Sequence, residues 1–117
     1  MEFIKTITEN KNNYGLSIID AIEVGVYRLS IQASKLHYCS PRENLDLNLY
    51  TSMELGLWKT KDNTESIILG EDKNLLAFPR FDELKKYIET TLDTGFAVFG
   101  YVPVDLLNDL YLYLKNI

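Results

Sequence analysis

One cysteine, one histidine and one tryptophan stand among 117 residues, and each scarcity closes off a class of chemistry. A lone thiol makes no intramolecular disulfide, which excludes a disulfide-stapled scaffold. One Cys and one His leave at least two ligands of a tetrahedral zinc site to carboxylates, outside the usual structural sets, so neither a metal nor a cofactor is expected. Three prolines and six glycines form no Pro-rich or Gly/Ser-rich linker. No internal repeat occurs at solenoid periods. The longest uncharged apolar run, Thr94 to Val104, is broken by Gly95, Gly100 and Pro103 and is about half the length that crosses a bilayer. Met1-Glu2-Phe3-Ile4-Lys5 has neither the basic start nor the apolar stretch of a signal peptide, so a cytoplasmic protein is expected. A phosphate-cradling glycine loop and a nucleophile elbow are also missing.

Basic clusters are equally scarce. The net charge is −5, and the imbalance is one-sided: residues 1–61 carry seven acidic and seven basic side chains, residues 62–117 ten and five. Nucleic-acid phosphates require clustered Lys and Arg, so direct nucleic-acid binding is not expected. An acidic surface instead attracts a basic surface on another protein. The plainer alternative is that the charge only keeps a small domain soluble. Hydrophobic residues at 46% and charged residues at 25% match a globular chain, and one domain over 1–117 is long enough to build a core without staples.

The hydrophobic pattern predicts an α+β fold: an antiparallel sheet of four to five strands with two C-terminal helices on one face. Phe3–Ile7 is β-leaning, and Asn10–Gly15 is a polar turn cluster. Leu16–Val24 reads as a half-buried strand interrupted at Asp20, with Gly25 as a turn or bulge. From Tyr27 to Ala33 the alternation is clean, and Met53, Leu55 and Leu57 alternate with Ser52, Glu54 and Gly56. Met53–Leu69 reads as a hairpin with a loop longer than two residues. Phe81, Leu84, Tyr87, Ile88 and Leu92 recur at helical spacing, predicting a helix that ends near Gly95. Phe96–Val102 reads as a buried strand. A last helix from Pro103 to about Asn116 has an apolar half that includes Leu106, Leu107, Leu110, Tyr111, Leu114 and Ile117, leaving Leu112 on the polar side.

Between the two alternating strands, His37-Tyr38-Cys39-Ser40-Pro41-Arg42 concentrates the sole His, the sole Cys, a Pro and an Arg. An imidazole beside a thiol can activate it as a nucleophile. On a continuing strand, however, the two Cβ atoms lie about 7 Å apart, too far for direct hydrogen bonding. Cys39 is therefore read as structural, and no catalytic residue is assigned. Pro41 fixes its own φ and holds Ser40 extended, presenting Arg42 as an anion recogniser, unless Glu43, Asp46 or Glu54 pairs with it. His37, Tyr38 and Arg42 are thus candidate binding residues. Glu71 and Asp72 in a turn, with Asp105 and Asp109 on one polar helix face, are candidate carriers of an acidic docking surface. Eight tyrosines suit an interface, though half-buried strand and helix edges use them equally.

The run Ala33–Glu43, with Tyr50-Thr51-Ser52-Met53-Glu54 and Phe99-Gly100-Tyr101-Val102-Pro103-Val104, resembles small uncharacterised proteins of phages and mobile elements of Gram-positive bacteria. The resemblance transfers no catalytic residue. It implies a context, the cytoplasm of a bacterial host, in which small acidic proteins serve as inhibitors of defence proteins, anti-CRISPR proteins being the best-known type. The leading expectation is a non-enzymatic inhibitor directed at a protein with a basic surface, such as a nucleic-acid-binding defence effector; a second copy of the chain is also a conceivable partner. The alternative is a small-molecule or nucleotide-binding domain, with weak enzymatic activity, using a pocket near His37, Cys39 and Arg42.

Overall fold

The computed structural model describes residues 3–4, 9–11, 17–61, 64–66, 70–90 and 97–117. Among the described residues, seven strands run in the order β1 (Glu9–Lys11), β2 (Ser17–Ile19), β3 (Ile22–Val24), β4 (Tyr27–Gln32), β5 (Ser52–Lys61), β6 (Thr64–Ser66) and β7 (Ala97–Pro103). After β6, the described residues form the helices α1 (Lys73–Leu76), α2 (Phe81–Lys85) and α3 (Val104–Lys115). The architecture is α+β, with a five-stranded antiparallel sheet and a separate β1–β2 pair.

The sheet is organised on β5. One edge of β5 pairs with β4 from Tyr27↔Lys59 to Gln32↔Glu54. The other edge is divided between β7, which pairs with Ser52–Leu57, and β6, which pairs with Lys59–Lys61. Alternation then separates two faces. Tyr27, Leu29 and Ile31 of β4, Met53, Leu55 and Leu57 of β5, and Ala97, Phe99 and Val102 of β7 are buried on the inner face. Arg28, Ser30, Gln32, Glu54, Gly56, Trp58 and Val98 lie on the outer face and are only partly buried.

Local signals explain the short connections. Val24↔Tyr27 leaves a two-residue β3–β4 loop, and Gly25 supplies its positive φ of 63°. Lys61↔Thr64 likewise leaves only residues 62 and 63 between β5 and β6, so this hairpin has the minimal loop, not the longer one expected. Its expected apolar continuation, Ile67-Ile68-Leu69, lies outside the described residues. The strand break at Asp20 is present. Beyond it, Gln32 extends the ladder by side chain, its Nε2 donating to Ile19 O at 2.6 Å and its Oε1 accepting from Ile19 N at 3.1 Å. Phe3 and Ile4 are helical, not extended as expected; residues 5–8 and most of the Asn10–Gly15 cluster lie outside the described residues, and Glu9–Lys11 is strand.

The first expected C-terminal helix is much shorter than its periodicity suggested. Phe81 and Leu84 are buried as expected, but α2 ends at Lys85. The chain then leaves the helix to bond β7: Gly100 N donates to Tyr87 O at 2.9 Å and Glu89 N to Val98 O at 2.7 Å. Leu92 and the expected terminus near Gly95 lie outside the described residues. By contrast α3 follows its pattern, with Leu106, Leu107, Leu110, Tyr111 and Leu114 buried against the inner face. Leu112 is half-buried against the same core, whereas Ile117, beyond the helix end, is 57% exposed. Phe3 completes this layer, fully buried and donating its N–H to Asn108 Oδ1 at 3.4 Å.

Leu107 and Leu110 are both fully buried. Replacing either with Ala is expected to lower the unfolding free energy by about 2–5 kcal/mol, measured by urea denaturation. A loss below about 0.5 kcal/mol for both would mean that α3 is not packed on the sheet.

Candidate functional site

The segment joining β4 to β5 is irregular but tied down at three points. Ser34, buried, turns the chain: its Oγ accepts from Leu36 N at 3.0 Å and bonds His37 Nδ1 at 2.7 Å, and its carbonyl accepts from His37 N at 3.2 Å. Ser40 pairs with the start of β5, donating to Ser52 O at 3.2 Å and accepting from Thr51 N at 2.8 Å. The buried Tyr50 hydroxyl donates to Glu43 O and accepts from Leu45 N at 2.8 Å. Between these anchors the segment presents Leu36, Tyr38 and Arg42 to solvent.

Opposite it, β7 carries a bulge. The β5–β7 register runs from Met53↔Val102 to Leu55↔Phe99, so Gly100 and Tyr101 together oppose Glu54. The extra residue is accommodated by Tyr101, whose φ is 57°, a left-handed conformation that costs a non-glycine residue about 1–2 kcal/mol. The bulge turns Tyr101 outward against Tyr38, ring centroids 5.8 Å apart, and Tyr101 N donates to Tyr38 O at 2.9 Å. Arg42 lies over the other ring of this pair, its Cζ 5.7 Å from the Tyr38 centroid. Gly100 lets the two segments approach closely, since a Cβ there would sit 3.1 Å from Tyr38 Cβ and would displace the Glu89 carboxylate, whose Oε1 would be 2.7 Å away. Tyr38 and Tyr101 remain 45% and 39% exposed. Arg42 makes no ion pair among the described residues, so none of Glu43, Asp46 or Glu54 claims it.

His37 and Cys39 do not act together. The imidazole turns to Ser34 and, at 4.0 Å, to Glu54 Oε2, while the fully buried Cys39 thiol donates to Ser34 O at 3.1 Å. Burial pushes the thiol above its ordinary value, the opposite of an activated nucleophile. Cys39 is buried, His37 half-buried and Arg42 exposed.

The acidic candidates divide. Glu71 is exposed. Asp72 is a structural cap: its Oδ1 accepts from Leu75 N at 3.0 Å and Tyr27 OH at 2.8 Å, and its Oδ2 meets Lys59 Nζ at 3.2 Å, leaving the side chain 6% exposed. Burial pushes this carboxyl up, but those three donors outweigh it and hold it below the usual range. Burial and Asp72 together push the Tyr27 hydroxyl up to about 12. Asp105 and Asp109 are exposed, yet both bind Arg80, at 3.1 and 2.6 Å, with Glu83 on the same guanidinium at 2.5 Å. This knot pins the start of α2 to α3. It was not visible in the sequence because Arg80 lies 25 and 29 residues from its helical partners.

A groove of about 290 Å³ opens on the outer face, lined by Ser30, Gln32, Glu54, Gly56, Trp58 and Val98. Gly56 forms its floor, where a Cβ would touch the Trp58 ring at 3.3 Å and Ser30 Cβ at 3.4 Å. Compared with known proteins, the chain matches no family model, no curated protein and no solved structure. Among the described residues no helix is long and apolar enough to cross a membrane. Sequence reasoning missed Tyr101 and this groove; the usable signals were Gly100 within a strand, which marks a bulge, and Gly56 between two large outer-face positions.

Asp72 generates a pH test. Its folded carboxyl titrates below the unfolded value of about 3.9, so its stabilisation is complete above that value and is lost as pH falls through the folded one. Asp72→Ala is expected to cost about 1–3 kcal/mol at neutral pH, and the gap to the parent should narrow below about pH 4. A gap of equal size at about pH 2.5 and pH 7 would contradict the capping role.

Proposed function

We propose that the protein is a non-catalytic binding module that inhibits a protein partner by docking on it through the surface built by Tyr38, Arg42 and Tyr101. The observation that carries this reading is the Tyr101 bulge. A left-handed tyrosine is tolerated at a cost in order to hold one exposed ring against another beneath an arginine, and backbone strain of this kind gathers at sites of recognition. Tyr and Arg are also the side chains that most often carry interface binding energy.

The net charge of −5 favours a partner with a basic surface, drawn in at long range. Glu71, Asp105 and Asp109 contribute to that field from exposed positions, whereas Asp72 is committed to its cap. The resemblance to small phage proteins supports a bacterial defence protein as the partner class, and a nucleic-acid-binding effector offers the basic surface such a charge attracts. An anti-defence inhibitor of the anti-CRISPR kind is therefore the specific form of the proposal.

Immobilised protein would be incubated with lysate of a Gram-positive bacterium and the retained species identified by mass spectrometry. A specific partner is expected near 0.1 M salt and should be weakened toward 1 M, where the Debye length falls from about 10 Å to about 3 Å. Tyr101→Gly separates recognition from folding, since glycine accepts the left-handed backbone without strain. It is expected to match or exceed the parent in melting temperature while losing at least about tenfold in retention, as interface anchors do. Retention equal to the parent's by both Tyr101→Gly and Tyr38→Ala would overturn the proposed surface.

A further inference from the structure

The outer-face groove is chemically asymmetric. At one end stands Glu54, whose side chain is only 21% exposed and which has no hydrogen-bond donor among the described residues; the His37 ring lies 4.0 Å away. A half-buried carboxylate ordinarily gathers donors, as Asp72 does with three, so Glu54 is an acceptor left open. From the other side comes Trp58, four residues along the same strand, whose ring leans back until its Cζ3 edge would lie 3.3 Å from a Cβ placed on Gly56. Its Nε1 is shielded from solvent and unpartnered among the described residues, while the ring lines the groove. Between them Gly56 and Val98 offer a smooth, weakly polar floor, with Ser30 and Gln32 along the side.

We infer that this groove is a binding site for an alkyl cation, a guanidinium or ammonium group on an extended aliphatic stem, with the charge on Glu54 and the stem over Gly56 toward the Trp58 ring. Each part of the ligand answers a feature of the groove. The carboxylate takes the charged donor, the floor takes methylene groups as such stems pack on apolar surface, and the indole accepts a stem or a second cation on its π face. Size sets the limit: about 290 Å³ is at the lower end of ligand cavities, which suits one side chain or a small amine and not a nucleotide. The same chemistry arises from a free alkylguanidine or from an arginine side chain of a protein. The inference stands on the groove alone and holds whether or not Tyr38, Arg42 and Tyr101 form a docking surface.

Trp58 is the only tryptophan, so its fluorescence reports the groove without a label. The parent would be titrated with agmatine, with the blocked peptide acetyl-Gly-Arg-Gly-amide, and with the same peptide carrying citrulline, the neutral isostere of arginine. A saturable change with agmatine alone assigns a free small cation, and one with the arginine peptide assigns a side chain. In either case citrulline should be silent, and Glu54→Gln should weaken binding at least about tenfold, as loss of a charged hydrogen bond does. Gly56→Val should abolish the response by filling the floor, with Glu54 intact and circular dichroism unchanged. No response to either cation up to about 20 mM, an equal response to citrulline, or an undiminished response in Glu54→Gln would overturn the assignment, since a millimolar dissociation constant is already the weak end of specific binding.

Discussion

The three-way pairing of β5 is the constraint on which the rest of the molecule depends. It hydrogen-bonds β4 along one edge and both β7 and β6 along the other, so no described strand of the main sheet beyond β3 joins the fold without it. Because side chains alternate across a strand, a single register also fixes which residues are committed to the core. Met53, Leu55 and Leu57 belong to the core that α3 completes, while Glu54, Gly56 and Trp58 are left half-buried on the other side. A slip of one position would bury a carboxylate and expose three large apolar side chains.

Both proposed recognition features arise from that register. The β7 bulge falls opposite Glu54, turning Tyr101 toward Tyr38 on one side of the carboxylate, and the Gly56 floor lies on the other. Glu54 therefore sits at the junction of the aromatic surface and the groove. The burden of stability is carried elsewhere: by the inner face, by the Asp72 cap that joins Tyr27, Lys59 and α1, and by the Arg80 knot that joins α2 to α3. This separation leaves the outer face free to vary in chemistry without loss of the core.

Much of the fold was legible because its strongest elements each have one wet face. Tyr27–Gln32 alternates buried and half-buried positions without exception, and α3 places its leucines on one side at the helical period. The shortened α2 was not legible, because Tyr87 and Ile88 satisfy a helical period and a strand edge equally; hydrogen bonds to Val98 and Gly100 decide between them, and those depend on the folded sheet. The site was half visible. Tyr38 and Arg42 stood out, but Tyr101 is more than fifty positions away and needs the bulge to reach them. The neighbouring His37 and Cys39 suggested chemistry, but the turn at Ser34 engages each separately, the imidazole on its Oγ and the thiol on its carbonyl.

Adjacent positions on β5 put the division of faces to a direct test. Urea denaturation of Leu55→Ala is expected to show a loss of about 2–5 kcal/mol, the cost of emptying a fully buried leucine site, whereas Glu54→Ala should stay within about 0.5 kcal/mol of the parent. Comparable losses at the two positions would contradict the assignment of one face to the core and the other to recognition.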